Sequence, residues 1–360
     1  MTPTLKSLKE EAFEKHIFDE LAKRHSYKKR NEEKYYDRST GLDPDLLFEF
    51  LEETQPKKLE RLEELYGESM RERLLKRLVD ELKKRGIIEL LHKGLEEGPV
   101  KFDLIFFKPI NSLNPETEEL CRKNIWSVMR QVHFNEKTEQ SLDLVLFVNG
   151  LPIATAELKN EITGQDVQHA MRQYRTDRDP KSTLFLFKRC VAHFAVDTSE
   201  VFVTTKLTGQ STYFLPFNKG LDNGAGNPPE EDGHKTKYLW EEVWSPDSWL
   251  ELLQCFVHVF KETKEDSEGR EYEVEIQAFP RFHQRKTVLD LLDSVKRKGV
   301  GENYLIQHSA GSGKSMTIAW SAYRLAELHD DSNNKLFDTI HSDDRQKSVG
   351  QTASGHGQSF

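Results

Sequence analysis

The strongest constraint on the fold of this chain is the stretch from Ser141 to Asn160, which predicts two β-strands joined at an Asn149-Gly150 turn. Side chains in a strand repeat every second residue, so alternating apolar positions indicate an extended segment. Such positions precede the turn at Leu142, Leu144, Leu146 and Val148. The same period places four side chains of the return strand on one face: Ile153, Thr155, Glu157 and Lys159. The sequence therefore predicts a hairpin with Asp143 on its first arm and an acid and a lysine on its second.

The register of this hairpin decides whether its charged residues can form a site. With a two-residue loop at 149 and 150, Asp143 lies opposite Ala156 and faces away from Glu157. A loop of three or five residues shifts the parity and brings Asp143 and Glu157 onto one face. Gly150 followed by Pro152 favours a longer or bulged connection, because glycine accepts the positive φ that three-residue hairpins need.

Two carboxylates on one face have a clear chemical use. Asp143 and Glu157 could hold a hard divalent cation such as Mg²⁺ through oxygen ligands, with waters completing its shell. Lys159 could then orient an attacking water or neutralise charge that develops on a phosphate. The alternative is an ordinary hairpin with a solvated rim of charges. If only the pattern of two acids and a lysine is considered, the alternative is favoured, because so short a pattern often occurs by chance.

Bulk composition indicates a globular protein of two or three domains. The chain has 360 residues, of which 36% are hydrophobic and 31% are charged. No run reaches the roughly 18 apolar residues that a membrane helix needs, and the N-terminus has no apolar signal core, so we expect a cytoplasmic protein without a membrane. The three cysteines are scattered without metal-ligand spacing, which predicts reduced core thiols: Cys121, Cys190 and Cys255.

The charge distribution is uneven. A net charge of -9 argues mildly against a nucleic-acid partner, which usually requires a basic surface. A local basic cluster follows the hairpin, however, and local patches bind phosphate despite a negative total. Its members are Arg172, Arg175, Arg178, Lys181, Lys188 and Arg189.

The order of predicted elements indicates an α/β fold, a mixed sheet flanked by helices. Residues 1–100 are mostly helical in pattern, with a first stripe at Leu8, Phe13, Ile17 and Leu21. A further helix is predicted over 163–177 and another over 238–262, and 208–236 reads as a long loop. Strands are predicted at 102–108, 126–134, 183–187, 191–196 and 201–207 in addition to the hairpin. The resulting division is a helical and catalytic region over 1–260 with its core at about 100–210, and a linker over 261–275.

The region after the linker, 276–330, has the pattern of a phosphate-binding loop. A predicted strand at 303–307 runs into HSAGSGKS (His308 to Ser315), and a helix follows. Backbone N–H groups around Gly311 and Gly313 would hold phosphates, Lys314 would reach their terminal oxygens, and Ser315 would ligate Mg²⁺. The chain then ends in a segment, 331–360, rich in Ser, Gly, Gln and His, for which we expect disorder.

Taken together, these motifs resemble a known family. Asp143, Glu157 and Lys159 resemble the PD-(D/E)xK nuclease core, and SLDLVLFVNGLPIATAELKN is similar to the restriction (R) subunit of type I restriction-modification enzymes. The resemblance extends in order through five further segments and covers about the first 330 residues. These segments are QYR (173–175), FLPFNKG (214–220), YLWEEVW (238–244), FPRFHQ (279–284) and HSAGSGKS (308–315).

The resemblance implies a function and further site residues. It implies a Mg²⁺-dependent endonuclease acting on double-stranded DNA, coupled in the intact family to ATP-driven translocation, with methylation and specificity subunits as partners. An acid in the first helix commonly approaches the metal site in such nucleases, which points to Glu14. A Gln-x-x-x-Tyr signature points to Gln173, although Asp177 stands where the tyrosine would fall and Tyr174 is adjacent. Gln284 matches the adenine-reading glutamine of superfamily 2 helicases, and His308 replaces the usual first glycine of the phosphate loop.

Two other functions stay open from the sequence. The family continues for several hundred residues beyond the phosphate loop, so the chain looks like a truncated R subunit with an incomplete RecA-like lobe. A catalytically silent DNA-binding or assembly module is the first alternative. A stand-alone ATPase is the second, and the missing acidic metal-binding motif speaks against it.

Overall fold

The computed structural model describes residues 5–109, 114–161, 164–222, 224–231, 234–330 and 332–341. Its contacts divide the chain into two compact units, Met1–Thr287 and Val288–Phe360. The predicted hairpin lies in the first unit and the predicted phosphate loop in the second. Among the described residues, no helix combines the length and the apolar character that crossing a membrane requires.

The first unit begins with helices, as the helical spacing of the sequence predicts. Asp43 caps the third of them by accepting a hydrogen bond from the Leu46 amide at 3.2 Å, directly before Pro44. Phe13, Ile17 and Leu21 are buried, and the side chain of Leu8 lies outside the described residues. The helices are α1 (Leu5–His25), α2 (Glu32–Tyr35), α3 (Pro44–Thr54), α4 (Pro56–Tyr66), α5 (Met70–Arg85) and α6 (Ile87–Lys93).

A seven-stranded mixed sheet forms the centre of the first unit, in the order β1-β4-β5-β6-β7-β8-β9. The β1/β4 and β6/β7 pairs are parallel, and the other neighbours are antiparallel. A small antiparallel pair, β2 (Leu95–Glu97) and β3 (Val100–Phe102), lies outside the sheet. The sheet strands are β1 (Lys28–Arg30), β4 (Trp126–His133), β5 (Ser141–Val148), β6 (Leu151–Leu158), β7 (Ala192–Val196), β8 (Val201–Thr204) and β9 (Leu215–Pro216).

One face of this sheet packs against α8 (Val167–Thr176), which begins after the Asp166 cap. Its buried residues include Val167, Ala170 and Met171, which belong to the same apolar cluster as Val145 and Phe147 of β5. The predicted mixed sheet flanked by helices is therefore confirmed. The remaining helices of this unit are α7 (Pro115–Arg122) and α9 (Pro246–Glu251), and α10 (Phe282–Lys298) begins in this unit and continues into the second after Thr287.

The pairing of β5 with β6 decides whether Asp143 and Glu157 lie on the same face of the sheet. Its loop has only two residues, Asn149 and Gly150, so the connection itself is not lengthened. Instead Ile153 is an extra residue in β6, since Leu146 pairs with Ala154 whereas Phe147 pairs with Pro152. This β-bulge shifts the parity of the pairing, and Asp143 and Glu157 consequently share a face.

The turn of the hairpin is buried inside the first unit. Gly150 has φ +77, and a Cβ added there would lie 2.2 Å from the carbonyl oxygen of Asp43, so only glycine fits. The Asn149 side chain accepts a hydrogen bond from the Ile125 amide at 2.6 Å and donates to the Leu104 carbonyl at 2.9 Å. The turn is thus held by the start of α3 and by two loops.

Several predicted elements take another form. The predicted strand at 183–187 is wrong, because Thr183–Phe185 forms a 3-10 turn whose Leu184 and Phe185 are buried. Where composition predicts a linker over 261–275, the chain forms an antiparallel hairpin of β10 (His258–Glu265) and β11 (Glu271–Ala278). The helix predicted over 238–262 is broken into a π-helical turn (Leu239–Val243), α9 and a second π-helical turn (Leu252–Phe256).

The second unit contains the phosphate-loop segment and α11 (Lys314–Ala326). The strand predicted at 303–307 is wrong, because these residues belong to no strand and Leu305 is 93% exposed. A RecA-like lobe needs that strand inside a sheet, so the predicted lobe is not formed in the described part of this unit. Within the predicted tail, residues 331 and 342–360 lie outside the described residues.

Candidate active site

The candidate site lies where the two arms of the hairpin separate. The ladder between β5 and β6 ends at the pair Leu144 and Ala156, so beyond this pair the two strands no longer pair with each other, although each stays paired with its other neighbour. Asp143 spans this gap, because its Oδ2 accepts a hydrogen bond from the Leu158 amide at 2.7 Å. The separated ends leave space for a cavity beside Asp143.

This cavity has a volume of about 400 Å³ and brings together distant parts of the chain. Four of the residues predicted for the site line it: Glu14, Asp143, Lys159 and Gln173. Arg130, Gln131, Ser141, Leu158 and Glu11 complete its wall. The first helix, the three strands β4, β5 and β6, and α8 therefore converge on one polar cavity, as a catalytic site requires.

Glu157 lies behind this wall rather than on it. It is fully buried, and its Oε1 accepts a hydrogen bond from Nε of Arg178 at 2.7 Å. Its Oε2 is also buried and has no hydrogen-bond partner among the described residues. Burial raises the pKa of Glu157 to about 7, and the nearby negative charge of Asp143 adds to this, against the opposing charges of Arg178 and Lys159. A carboxylate in this position gains from any additional positive charge.

Glu14 of α1 reaches the cavity from the far end of the sequence. Its Oε1 accepts a hydrogen bond from Arg130 at 2.6 Å, and its Oε2 accepts one from Gln131 at 2.7 Å. Burial raises the pKa of Glu14 to about 7, with the hydrogen bond from Arg130 opposing and the Asp143 charge adding to the shift. Both oxygens of Glu14 are therefore engaged.

Gln131 connects Glu14 with the hairpin. Its Nε2 lies 3.4 Å from Oδ1 of Asp143, and Ser141 Oγ donates to its Oε1 at 2.8 Å. Gln131 has φ +50, a backbone conformation that residues other than glycine rarely adopt. Such outliers concentrate at functional sites, where the surrounding structure maintains the strain.

Lys159 and Gln173 complete the set of predicted residues. Lys159 is buried, and its amide donates to the Val196 carbonyl at 2.8 Å, which fixes the end of β6 beside β7. The Gln173 side chain lines the cavity, and its buried Oε1 has no hydrogen-bond partner among the described residues. Tyr174, its neighbour, faces the sheet instead, where its hydroxyl lies 2.7 Å from Oγ1 of Thr155. Tyr174 thus anchors α8 and holds Gln173 over the cavity.

The side chains of the site meet only some of the requirements for binding a hard metal cation. Within the described ranges, no three His, Cys, Asp or Glu side chains form a group that could hold a metal ion. Two carboxylates, Asp143 and Glu157, remain on one face, and one of their oxygens is buried without a partner. Magnesium is commonly bound by one or two carboxylates and several waters, so this pair fits it.

The sequence does not indicate that Arg130 and Gln131 contact Glu14, nor that Arg178 contacts Glu157. Arg178 was recognised only as part of a basic cluster, yet it is 5% exposed and contacts Glu157 directly. Sequence spacing offers no signal for this contact, because Arg178 lies beyond the end of α8 and outside any periodic pattern.

Comparison with known proteins decides the family. Residues 7–212, more than half of the chain, match the sequence model of the N terminus of the type I restriction enzyme R protein. The chain belongs to this R protein family. The predicted resemblance is confirmed, and the matched range includes the hairpin and every residue that lines its cavity.

Relatives of this R protein chain are much longer than the chain itself. The type I restriction enzyme HindI endonuclease subunit of Haemophilus influenzae is 26% identical over 188 residues, which are 51% of this chain and 17% of the relative. The putative type I restriction enzyme MjaVIIIP endonuclease subunit of Methanocaldococcus jannaschii is 24% identical over 287 residues, 73% of this chain and 24% of the relative. The chain therefore covers about a quarter or less of each of these relatives.

The phosphate-loop segment of this R protein chain is separate from the hairpin site. Gly311 and Gly313 have φ of +72 and +82, and Lys314 Nζ donates to the carbonyls of Ser309 at 3.0 Å and His308 at 3.3 Å. Lys314 thus folds over the loop, and Ser315 is exposed in the first turn of α11. Gln284 is buried, and its Oε1 accepts a hydrogen bond from the Arg281 amide at 2.8 Å at the start of α10.

Proposed function

We propose that this R protein chain is the endonuclease module of a type I restriction enzyme and hydrolyses phosphodiester bonds of double-stranded DNA with Mg²⁺. The observation that carries the proposal is the β-bulge at Ile153, which places Asp143 and Glu157 on one face beside Lys159 and a polar cavity. Without the bulge the two carboxylates would lie on opposite faces.

Each residue of the site has a role in this proposal. Asp143 and Glu157 would hold the cation, which would polarise the phosphate and activate a water. Lys159 would position that water or stabilise negative charge on the phosphate, and Gln173 would donate to the substrate from the end of α8. Glu14 also lines the cavity, and it would join the cation only if Arg130 or Gln131 released one of its oxygens.

The experiment is plasmid cleavage by the chain together with methylation and specificity subunits, Mg²⁺ and ATP. Asp143→Ala and Lys159→Ala should each lower the cleavage rate by about 10³-fold, because several kcal/mol of transition-state stabilisation are lost. Lys206→Ala, a change at a lysine outside the cavity, is the control and should leave the rate unchanged. Equal rates for wild type and both site variants would rule out hydrolysis at the hairpin.

A specific observation favours the alternative of a silent DNA-binding or assembly module. Glu157 is closed off behind the cavity wall, and Arg178 already supplies a positive charge to it. In that case the same experiment gives no cleavage with any variant, while the complex with the partner subunits still assembles. Size-exclusion chromatography of the mixture with DNA reads out that assembly.

We also propose that the loop around Gly311 and Gly313 binds the phosphates of ATP, with Lys314 on their terminal oxygens and Ser315 toward Mg²⁺. Lys314 supports this, because its ammonium lies over the loop, held by two backbone carbonyls that a phosphate would replace. The proposal is limited to binding, since the strand that a motor requires before this loop is not formed.

A further inference from the structure

The open end of the hairpin is held together by side chains. Regular pairing of β5 with β6 stops at Leu144 and Ala156, one residue before the two carboxylates. Two contacts span the gap beyond this point. The first is the hydrogen bond from the Leu158 amide to Asp143, and the second is made by Arg178.

Arg178 contacts both arms of the hairpin with one planar group. Its Nε donates to Oε1 of Glu157 on β6 at 2.7 Å, and its Nη2 donates to the carbonyl of Ser141 on β5 at 2.8 Å. The guanidinium also lies over the Phe134 ring, 5.2 Å from its centroid, and the side chain is 5% exposed. A guanidinium is rigid and directional, so this contact fixes a distance as well as a charge.

We propose that Arg178 is a positioning residue that sets the separation of Asp143 and Glu157 for a divalent cation; this rests on the proposed nuclease function. The two carboxylate oxygens of Glu157 have different surroundings, as this positioning role requires. Arg178 engages one oxygen of Glu157, and the other oxygen is buried without a partner among the described residues. An ion pair that served stability alone would gain by engaging both oxygens in the bidentate arrangement that arginine favours.

The probe is Mn²⁺, titrated into the purified full chain and followed by the paramagnetic resonance signal of the free ion. Arg178→Lys keeps the positive charge but cannot bridge Glu157 and Ser141 with one rigid group. We expect it to weaken Mn²⁺ binding by about 10- to 100-fold, the effect of removing a group that orients a metal ligand. Thermal unfolding without cation is measured in parallel and should change by only a few degrees. Arg77→Lys, at an exposed arginine that is paired with Glu81 on α5, is the matched control and should bind as wild type does.

The outcomes separate this inference from the proposed function. If Asp143→Ala loses Mn²⁺ binding while Arg178→Lys binds as tightly as wild type, the positioning role is wrong and the cation site stands. If wild type binds no Mn²⁺, both are wrong. A purely structural role would lower the unfolding temperature of Arg178→Lys and leave the affinity of its folded fraction unchanged, which also overturns the inference. Should Arg178→Lys not fold, Arg178→Gln, which keeps one donor without charge, is judged by the same criteria.

Discussion

The hairpin region and the phosphate-loop region both carry a short signature, but only one of them is supported by a sheet. Leu146 of β5 is 1% exposed in the middle of seven strands, whereas Leu305, in the strand predicted before the phosphate loop, is 93% exposed. The two apolar runs look alike in sequence. The difference teaches that a motif predicts which residues can act, whereas neighbouring strands decide whether a strand forms to position them.

The first and largest test of this comparison removes the two leucines. Leu146→Ala should lower the free energy of unfolding by about 2–5 kcal/mol, because it leaves a cavity in a packed core. Leu305→Ala should change it by less than about 0.5 kcal/mol, since an exposed side chain loses few contacts. Urea unfolding of both variants makes the comparison. A large effect of Leu305→Ala would mean that the segment before the phosphate loop is packed after all.

The second test concerns the buried turn of the hairpin. Gly150→Ala should destabilise the protein by about 3 kcal/mol, because alanine at a positive φ is strained and its Cβ would overlap the Asp43 carbonyl. Gly209→Ala is the matched control, with φ +64 and no atom within 4 Å of the added Cβ, and should cost about 1 kcal/mol. Equal effects would show that the turn is not confined by α3.

The third test uses pH to probe the carboxyl groups of the cavity. The pKa of Glu14 is raised from 4.5 to about 7, so the folded protein holds this proton where the unfolded chain has released it. Stability contributed by that proton is present below about pH 4.5 and is lost as the pH rises to about 7. Relative to Glu14→Gln, wild type should therefore lose up to about 3 kcal/mol across this window.

Urea unfolding at several pH values checks this difference. Carboxyl groups shared by wild type and Glu14→Gln cancel in the comparison, apart from those coupled to Glu14, such as Asp143. The matched change is Glu20→Gln on the same helix, where the hydrogen bond from Arg24 lowers the pKa of the carboxyl, so its effect on stability should be constant between pH 4.5 and 7. A flat difference for Glu14→Gln would contradict the burial of Glu14 in the cavity.

The fourth and smallest effect is expected in the second unit. Lys314→Ala should weaken binding of a fluorescent ATP analogue by at least about tenfold, because one charged contact to the phosphates is lost. Lys298→Ala, an exposed lysine at the end of α10, should bind as wild type does. Because the hairpin site lies in another unit, neither change should alter Mn²⁺ binding. Unchanged nucleotide affinity in Lys314→Ala would show that the loop does not bind the phosphates of ATP.

The sequence predicts secondary structure correctly where its residue pattern is compatible with only one type of element. Alternation over 142–148 predicts a strand, and β5 confirms it. The apolar run at 183–187 is ambiguous, since burial alone requires apolar residues, and its Leu184 and Phe185 are buried from a 3-10 turn. The charged composition of 261–275 predicts a linker. The structure instead has a hairpin closed at Asp266 to Gly269, and Phe260, Val274 and Ile276 lie on one of its faces.

The sequence predicts which residues form the candidate site but not how they are arranged. The residue types and spacing pointed to Asp143, Glu157 and Lys159, and the fold brings their strands together. A longer or bulged connection is predicted from Gly150 and Pro152, but the position of the bulge at Ile153, inside β6, is not, because it depends on how the whole strand fits between β5 and β7. The contact of Arg178 with Glu157 spans a helix and a turn, and no local pattern encodes it.

The buried turn of the hairpin also limits the direction from which DNA could approach under the proposed function. Asn149 is hydrogen-bonded to two loops, and Gly150 lies against the start of α3. The tip of the hairpin is therefore buried and cannot insert between nucleic-acid strands. If the chain cleaves DNA as proposed, a duplex would have to approach the separated ends of β5 and β6. Glu11 and Glu14 line the cavity there, so α1 would form part of its entrance.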